Sequence, residues 1–186
     1  MGKTDRYDII KGMIEGVENC TVRTGVPIPK VSYRTVEKNR MICRTNGCGH
    51  YNSSWTCPPN CGTAEYCIER IGSYKDSDVI MKEYDRSLFK DPENMEKVMD
   101  GFRDLCRKIM IECRNEGFDV IAFADGPCRF CKKCAFEVGK NCYRPEMQVP
   151  SVSGYGIDMT SYLEGAGLKF EFGKGMVTLY GIFLFK

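Results

Sequence analysis

Residues 118–134 read FDVIAFADGPCRFCKKC, an apolar segment that runs directly into three cysteines. The compact apolar run in residues 118–124 predicts a buried strand. Cys128, Cys131 and Cys134 follow this strand, and each neighbouring pair is separated by two residues. The segment therefore joins a core strand to closely spaced thiols, and we expect this cysteine loop to lie just outside a sheet.

The segment before this strand carries the clearest helix signal in the chain. Asp91 is a good N-cap, Pro92 suits the first helical position, and Glu93 favours the positive end of a helix. Apolar residues then recur at intervals of three and four up to Cys113, and Gly117 suits the C-terminal cap. These features predict a long helix that packs one apolar face against the core.

The remaining elements complete an α+β pattern. Helical spacing or capping predicts two further helices, over residues 5–17 and 157–164. Short apolar runs between turn formers predict strands over residues 31–36, 77–84, 168–172 and 176–185, with a glycine-rich turn at 173–175. We therefore predict one domain over residues 1–186, in which helices pack against a small mixed sheet and two cysteine-rich loops lie outside it.

Size and charge exclude several classes of protein. A chain of 186 residues is long enough for one hydrophobic core. The net charge of +2 argues against nucleic acid or an anionic membrane as a partner. The most apolar run, residues 176–185, is about half of the roughly 20 residues that a membrane helix needs. The polar N-terminus lacks a signal peptide core, so we expect a cytoplasmic protein.

Twelve cysteines are unusual in a reducing compartment, where disulfides are rare. Clustered thiols in such a protein are typical of metal sites. The single histidine, His50, leaves little scope for mixed Cys/His zinc sites or for Cys–His nucleophile pairs. Cys106 and Cys113 lie seven residues apart on the predicted helix, where we expect them to pack in the core, and Cys20 is expected to be structural.

The group Cys128-x2-Cys131-x2-Cys134, followed by Cys142, predicts a 4Fe–4S cluster. Thiolates spaced in this way wrap closely enough to bind several corners of one cubane. The spacing resembles that of bacterial ferredoxins, although the last gap is seven residues where those proteins have three. That difference leaves open which cluster Cys142 serves.

A first group precedes it in a turn-rich loop, with the spacing Cys43-x4-Cys48-x8-Cys57-x3-Cys61. Four thiolates in such a loop bind either zinc or a 4Fe–4S cluster. Pro58 directly after Cys57 favours the cluster, because proline makes a stiff turn beside a ligand. We predict two 4Fe–4S clusters on these eight cysteines. Zinc at the first group, Cys67 in place of Cys61, and a ligand role for His50 stay open.

Positively charged residues surround the second group: Arg129, Lys132, Lys133, Lys140 and Arg144. They either offset the negative charge of a thiolate-bound cluster or form a docking face for an acidic electron carrier or an anionic substrate. The aromatic side chains of Tyr51, Trp55 and Phe130 are expected to shield the clusters from water.

Two longer patterns resemble a known family. They are Cys43…Cys48-x2-Tyr51-x3-Trp55-x-Cys57-Pro58-Pro59, and Gly126-x-Cys128-x2-Cys131-x2-Cys134 with Cys142-x2-Pro145 and Gly156-Ile157-Asp158. Over about residues 29–185 the chain is similar to predicted metal-binding proteins that form a domain of unknown function, mainly in anaerobic bacteria and archaea. Val149, before Pro150 and Ser151, departs from the arginine expected there. The resemblance implies metal binding and an anaerobic host, and it supplies no reaction.

These features predict a small electron-transfer protein, or redox partner of another protein, with two 4Fe–4S clusters. Phosphate-binding and dinucleotide-binding loops are absent from the sequence, and no catalytic residue is assigned. One alternative is an enzyme whose cluster has an open iron, with Cys142 optional. In that enzyme Asp125 and Asp158 act as acid or base; otherwise they are a turn residue and a helix-start carboxylate. Another alternative is a zinc-stabilised interaction module.

Overall fold

The computed structural model describes residues 5–169 and 175–186. In this part of the chain four strands form one sheet in the order β1-β2-β4-β3. All pairings between them are antiparallel, and an isolated parallel bridge joins Ala124 to Ser151. The strands are β1 (Cys20–Val26), β2 (Asp76–Asp85), β3 (Val120–Phe123) and β4 (Met176–Phe185).

Helices cover both faces of the sheet. They are α1 (Arg6–Ile14), α2 (Tyr33–Arg44), α3 (Ala64–Gly72), α4 (Pro92–Asn115) and α5 (Met159–Gly165). Helices α1 and α4 share one core cluster with the sheet, and α2, α3 and α5 share the other. None of the helices that the structure describes is long and apolar enough to span a bilayer. The predicted α+β class is confirmed.

Strand β4 divides its side chains between the two cores. Leu179 and Phe183 face the layer of α1 and α4, whereas Tyr180 and Ile182 face the layer of α2, α3 and α5. This alternation follows from the pleat of a strand, in which successive side chains point to opposite faces. The sheet is therefore buried on both sides, and the cysteine loops lie at its end.

The predicted long helix is confirmed as α4. The carboxylate of Asp91 accepts a hydrogen bond from the Asn94 amide at 2.8 Å, and Gly117 follows the helix with a φ of 89°. Cys106 and Cys113 are fully buried on the apolar face, as predicted. The predicted helix at the N-terminus, the strand over residues 77–84 and the last strand are confirmed as α1, β2 and β4.

Other elements differ from the prediction. The strand predicted over residues 31–36 is wrong, because Ser32 and Thr35 form a capping box that starts helix α2 there. Strand β1 and helix α3 were not predicted. Leu168 and Lys169, in the strand predicted over 168–172, are not part of a strand, and residues 170–172 lie outside the described residues. Most of the predicted turn at 173–175 also lies outside them.

Candidate metal centres

Two distant parts of the chain meet where β3 ends. Ala124 donates its amide hydrogen to the carbonyl oxygen of Pro150 at 3.1 Å, and Ser151 donates its own to the Thr56 carbonyl at 3.4 Å. The Cys128 amide donates to the hydroxyl of Thr56 at 2.8 Å. These bonds hold the two cysteine loops side by side, although they are far apart in the sequence.

The structure brings the whole second group together. Its members line one small cavity of about 30 Å³, and they are Cys128, Cys131, Cys134 and Cys142. That volume holds about one water molecule or ion. The first three cysteines also line an open cavity of about 380 Å³, which Ser53 and Ser54 of the first loop complete. Cys142 therefore lies with the predicted partners of its group.

Arg107 of α4 is a buried cation beside this group. Its side chain is 3% exposed, and its Nη2 lies 3.8 Å from the Cys128 sulfur. The Nε donates to the Met147 carbonyl at 2.8 Å, and Asp104 pairs with Nη1. The guanidinium also stacks on the Phe130 ring, 4.8 Å from its centroid. Such a cation stabilises negative charge on the sulfur atoms next to it.

Arg103, one turn earlier, lies between the two groups. Its Nη1 pairs with Asp100 at 2.9 Å, its Nη2 donates to the Asp125 carbonyl, and its buried Nε has no hydrogen-bond partner among the described residues. Burial lowers the pKa of Arg103, whereas Asp100 and the Cys128 sulfur raise it. Gly126, at a φ of 84°, lets the guanidinium approach, because a Cβ there would collide with Nη2.

Three cysteines of the first group line another cavity, of about 300 Å³. Cys43 belongs to the last turn of α2, and Cys48 and Cys57 follow in the loop. Met95 and Met99 of α4 belong to the same cavity lining, so the sulfur atoms lie close to an apolar surface. The three cysteines thus belong to the lining of a cavity that is larger than a single ion requires.

Cys61, the fourth predicted ligand of this group, does not line that cavity. The Nη2 of Arg40 lies 3.4 Å from the sulfur of Cys61 and 3.4 Å from that of Cys67. The Cys61 thiol also donates to the Gly154 carbonyl at 3.5 Å. Cys61 shares a separate open cleft with Cys142. The structure thus places Cys61 with Cys67 and a buried guanidinium.

Three thiols of the first group are poor acids in their protein environment. Burial raises the pKa of Cys57 and of Cys61 to about 11, and it also raises the pKa of Cys43. Binding of a metal at these thiols must displace their protons, so it is coupled to proton release. Burial and the nearby Arg129 cation lower the pKa of His50, which lines the same cavity.

The two candidate carboxylates have different surroundings. Asp125 lines the first cavity, and burial raises its pKa while Arg103 lowers it. Asp158 caps α5 by accepting from the Ser161 amide at 3.2 Å, and it pairs with Lys38 at 3.5 Å. Asp158 thus lies at the start of a helix, as expected where it is not an acid or base.

The predicted aromatic shields all line cysteine cavities. Tyr51 lies at the first cavity, and Trp55 and Phe130 lie at the second. Trp55 also joins the two loops, because its Nε1 donates to the Lys140 carbonyl at 3.0 Å and its ring meets Phe136 edge-on at 5.2 Å. Trp55 thus ties the first cysteine loop to the second.

The buried arginines are the site residues that the sequence reasoning missed. Arg103 and Arg107 lie one turn apart on α4 and interrupt its apolar face between Phe102 and Met110. A pair of arginines on a core-facing helical stripe is the signal that marks them. Arg40 carries a weaker signal, since only its spacing of four from the buried Val36 indicates burial.

Within residues 5–169 and 175–186, no three His, Cys, Asp or Glu side chains form a group that could hold a metal ion. The donor chemistry nevertheless suits iron–sulfur ligation, because thiols line both cavities and a buried guanidinium lies beside a sulfur of each cysteine group.

A scan against protein-family models matched residues 27–185 to a family described as predicted metal-binding protein (DUF2284). The matched range spans most of the chain. Searches of curated proteins and of solved structures found no match.

Proposed function

The chain belongs to this family of predicted metal-binding proteins, and on that premise we propose that it holds two 4Fe–4S clusters and transfers electrons. The observation that carries the proposal is the adjoining position of the two cysteine cavities. Ser54 of the first loop lines the second cavity, and Cys128 donates its amide hydrogen to Thr56. Two redox groups in adjoining loops suit a protein that passes electrons through its own chain.

The proposed ligands are the eight predicted cysteines: Cys43, Cys48, Cys57 and Cys61 at the first group, and Cys128, Cys131, Cys134 and Cys142 at the second. When bound, such clusters accept and release electrons at potentials that their protein surroundings set. The chain itself contributes the buried cations Arg40 and Arg107, which face sulfur atoms and offset their negative charge. We place the protein in the cytoplasm, because all its cysteines are unpaired thiols.

Exposure of the second group supports electron transfer as the role. Cys131 is exposed and the other cysteines of its group are half-buried, whereas Cys57 and Cys61 of the first group are buried and Cys48 is exposed. The second group can therefore exchange electrons with another molecule, and the first group is the more buried of the two. This arrangement requires no substrate pocket.

Reversible reduction tests the proposed role. We expect anaerobically purified protein to be reduced by dithionite and reoxidised repeatedly without loss of iron. Its electron paramagnetic resonance spectrum should show two paramagnetic centres that interact magnetically, because the cavities adjoin. Loss of iron in the first cycle, or a single isolated centre, would contradict the proposal.

The size of the second cavity favours a second candidate, a zinc-stabilised interaction module. Four cysteines line a cavity of about 30 Å³, which is the size of one ion, and structural zinc takes four thiolates in a tetrahedron. A cubane there must also use the adjoining cavity of about 380 Å³. Zinc in the purified protein without acid-labile sulfide would select this candidate.

The position of Cys61 favours a third candidate, an enzyme with an open iron at the first group. Only three of its cysteines line the first cavity, and Asp125 belongs to the same lining. Mild oxidation distinguishes this candidate, because a cluster with three cysteine ligands readily loses its fourth iron. The signal of a 3Fe–4S cluster would favour the enzyme, and an unchanged cluster would favour full ligation.

A further inference from the structure

We propose that the exposed surface around the second cysteine group docks an acidic one-electron carrier protein, an inference that rests on the proposed electron-transfer function. This surface, called the basic face below, consists of four cationic and two apolar side chains. They are Lys132, Lys133, Lys140, Arg144, Val138 and Tyr143.

The cations of the basic face are free to meet a partner. Lys132, Lys133, Lys140 and Arg144 are all exposed, and none forms an ion pair within the part of the chain that the structure describes. Arg129 differs, because Glu96 and Asp100 neutralise it at 2.8 and 3.7 Å. Carboxylates of a partner would supply the missing counter-charges.

The positive charge of the protein is concentrated here. Residues 128–148 contain five basic and two acidic side chains, whereas the whole chain carries a net charge of only +2. The rest of the molecule is therefore slightly negative. A negatively charged carrier is attracted to this cluster of positive charge, and that attraction orients it during encounter.

Exposed apolar side chains make the basic face suited to binding another protein. Tyr143 is 62% exposed and Val138 is 51% exposed, within a few residues of the lysines. Tyrosine and arginine are enriched at protein interfaces, where their apolar bodies are covered and their polar ends still find partners. A small anion would gain nothing from this apolar area.

The basic face also lies next to the cysteines that would hold the cluster. Lys132 lines the open cavity with Cys131, and Tyr143 and Arg144 line the small cavity with Cys142. A carrier that covers these side chains has its redox group directed towards the second cysteine group. The geometry thus couples docking to electron exchange.

Two small oxidants of opposite charge test the electrostatic part. The reduced protein gives one electron to anionic ferric-EDTA, which becomes ferrous-EDTA, or to cationic hexaammineruthenium(III), which becomes the ruthenium(II) complex. We expect ferric-EDTA to react faster at low salt and to slow as salt screens the lysines. The Lys132→Gln/Lys133→Gln variant should lower that rate by about fivefold.

The matched control is Lys11→Gln/Lys75→Gln, which removes two exposed lysines of α1 and of the segment before β2. It should leave the ferric-EDTA rate unchanged. Equal rates in the two variants, or a faster reaction with the ruthenium cation, would overturn the docking inference. The visible absorption of each sample shows whether its clusters are bound. Absence of this absorption would count against the proposed function and not against the docking inference.

Cross-linking tests whether the occupant is a protein. A carbodiimide joins lysine amines to carboxylates, and a purified acidic flavodoxin serves as the probe. We expect amide links to Lys132, Lys133 or Lys140, and we expect Tyr143→Ser to slow electron exchange with the flavodoxin but not with ferric-EDTA. Links scattered over other lysines would overturn the proposal. The absence of any link would also overturn it, and the basic face would then be a site for small anions only.

Discussion

Buried arginines beside sulfur are the most informative individual residues. Arg40 lies 3.4 Å from the sulfur of Cys61, and Arg107 lies 3.8 Å from that of Cys128. Burial of a cation is costly unless an anion or several hydrogen bonds compensate it. A cluster-bound thiolate supplies such an anion, and its charge becomes more negative on reduction. Both arginines should therefore stabilise the reduced state and raise the potential.

Replacement of Arg107 by methionine should lower the reduction potential of the second cluster. We expect the ratio of reduced to oxidised cluster at a fixed potential to fall about tenfold, which corresponds to about 59 mV for a one-electron couple. The control is Lys108→Met, which removes one exposed charge from the next position of α4. Potentiometric titration of both variants measures the difference.

Arg107→Lys keeps the charge while it changes the hydrogen-bond geometry, and it should give an intermediate potential. This variant also guards against a failure of Arg107→Met to fold. Equal potentials in Arg107→Lys, Lys108→Met and the native protein would show that Arg107 does not tune the cluster.

Cysteine replacements test the ligands of the first group. We expect Cys57→Ser to remove about half of the bound iron, because Cys57 lines the first cavity. We expect Cys61→Ser to lower the iron content as well, because the proposed cluster takes the Cys61 sulfur from Arg40 and the Gly154 carbonyl as its fourth ligand. Iron per chain measures both outcomes. Unchanged iron in Cys61→Ser would contradict ligation by Cys61 and favour the enzyme with an open iron.

At the level of secondary structure, local signals were sufficient for some elements only. Asp91, Pro92 and a long apolar period predicted α4 correctly, since capping and periodicity agree there. Residues 31–36 misled the prediction, because Val31 and Val36 bracket a short segment that also starts with a capping residue, Ser32. Six residues are too few to distinguish the apolar period of a helix from that of a strand.

The capping box of α2 has a measurable role. The Thr35 amide donates to the Ser32 hydroxyl at 3.3 Å, and loss of such a cap costs about 1 kcal/mol. Ser32→Ala should therefore speed amide hydrogen exchange in the first turn of α2 by about fivefold. Arg34→Ala, at an exposed position of the same turn, is the control and should change exchange little. Equal protection in the two variants would contradict this role.

Local sequence signals were likewise sufficient for only part of the candidate site. Cys128, Cys131, Cys134 and Cys142 line one cavity, which agrees with their short separation in one local loop. The surroundings of Cys61 come from distant segments, so spacing within the loop carried no signal for them.

At the scale of the whole molecule, both cysteine loops lie at one end of a sheet that is buried on its two faces. Strand β3 leads to the second group, and the loop around Thr56 links that group to the first. The core thus provides a rigid base, and the chemistry is concentrated at one end. We propose that electrons enter and leave at that end.

The most direct test of this account is the amount of iron, zinc and acid-labile sulfide per chain in strictly anaerobically purified protein. Two clusters predict about eight iron atoms and about eight sulfides per chain, without zinc. Zinc without sulfide would contradict the central claim and leave a zinc-stabilised interaction module.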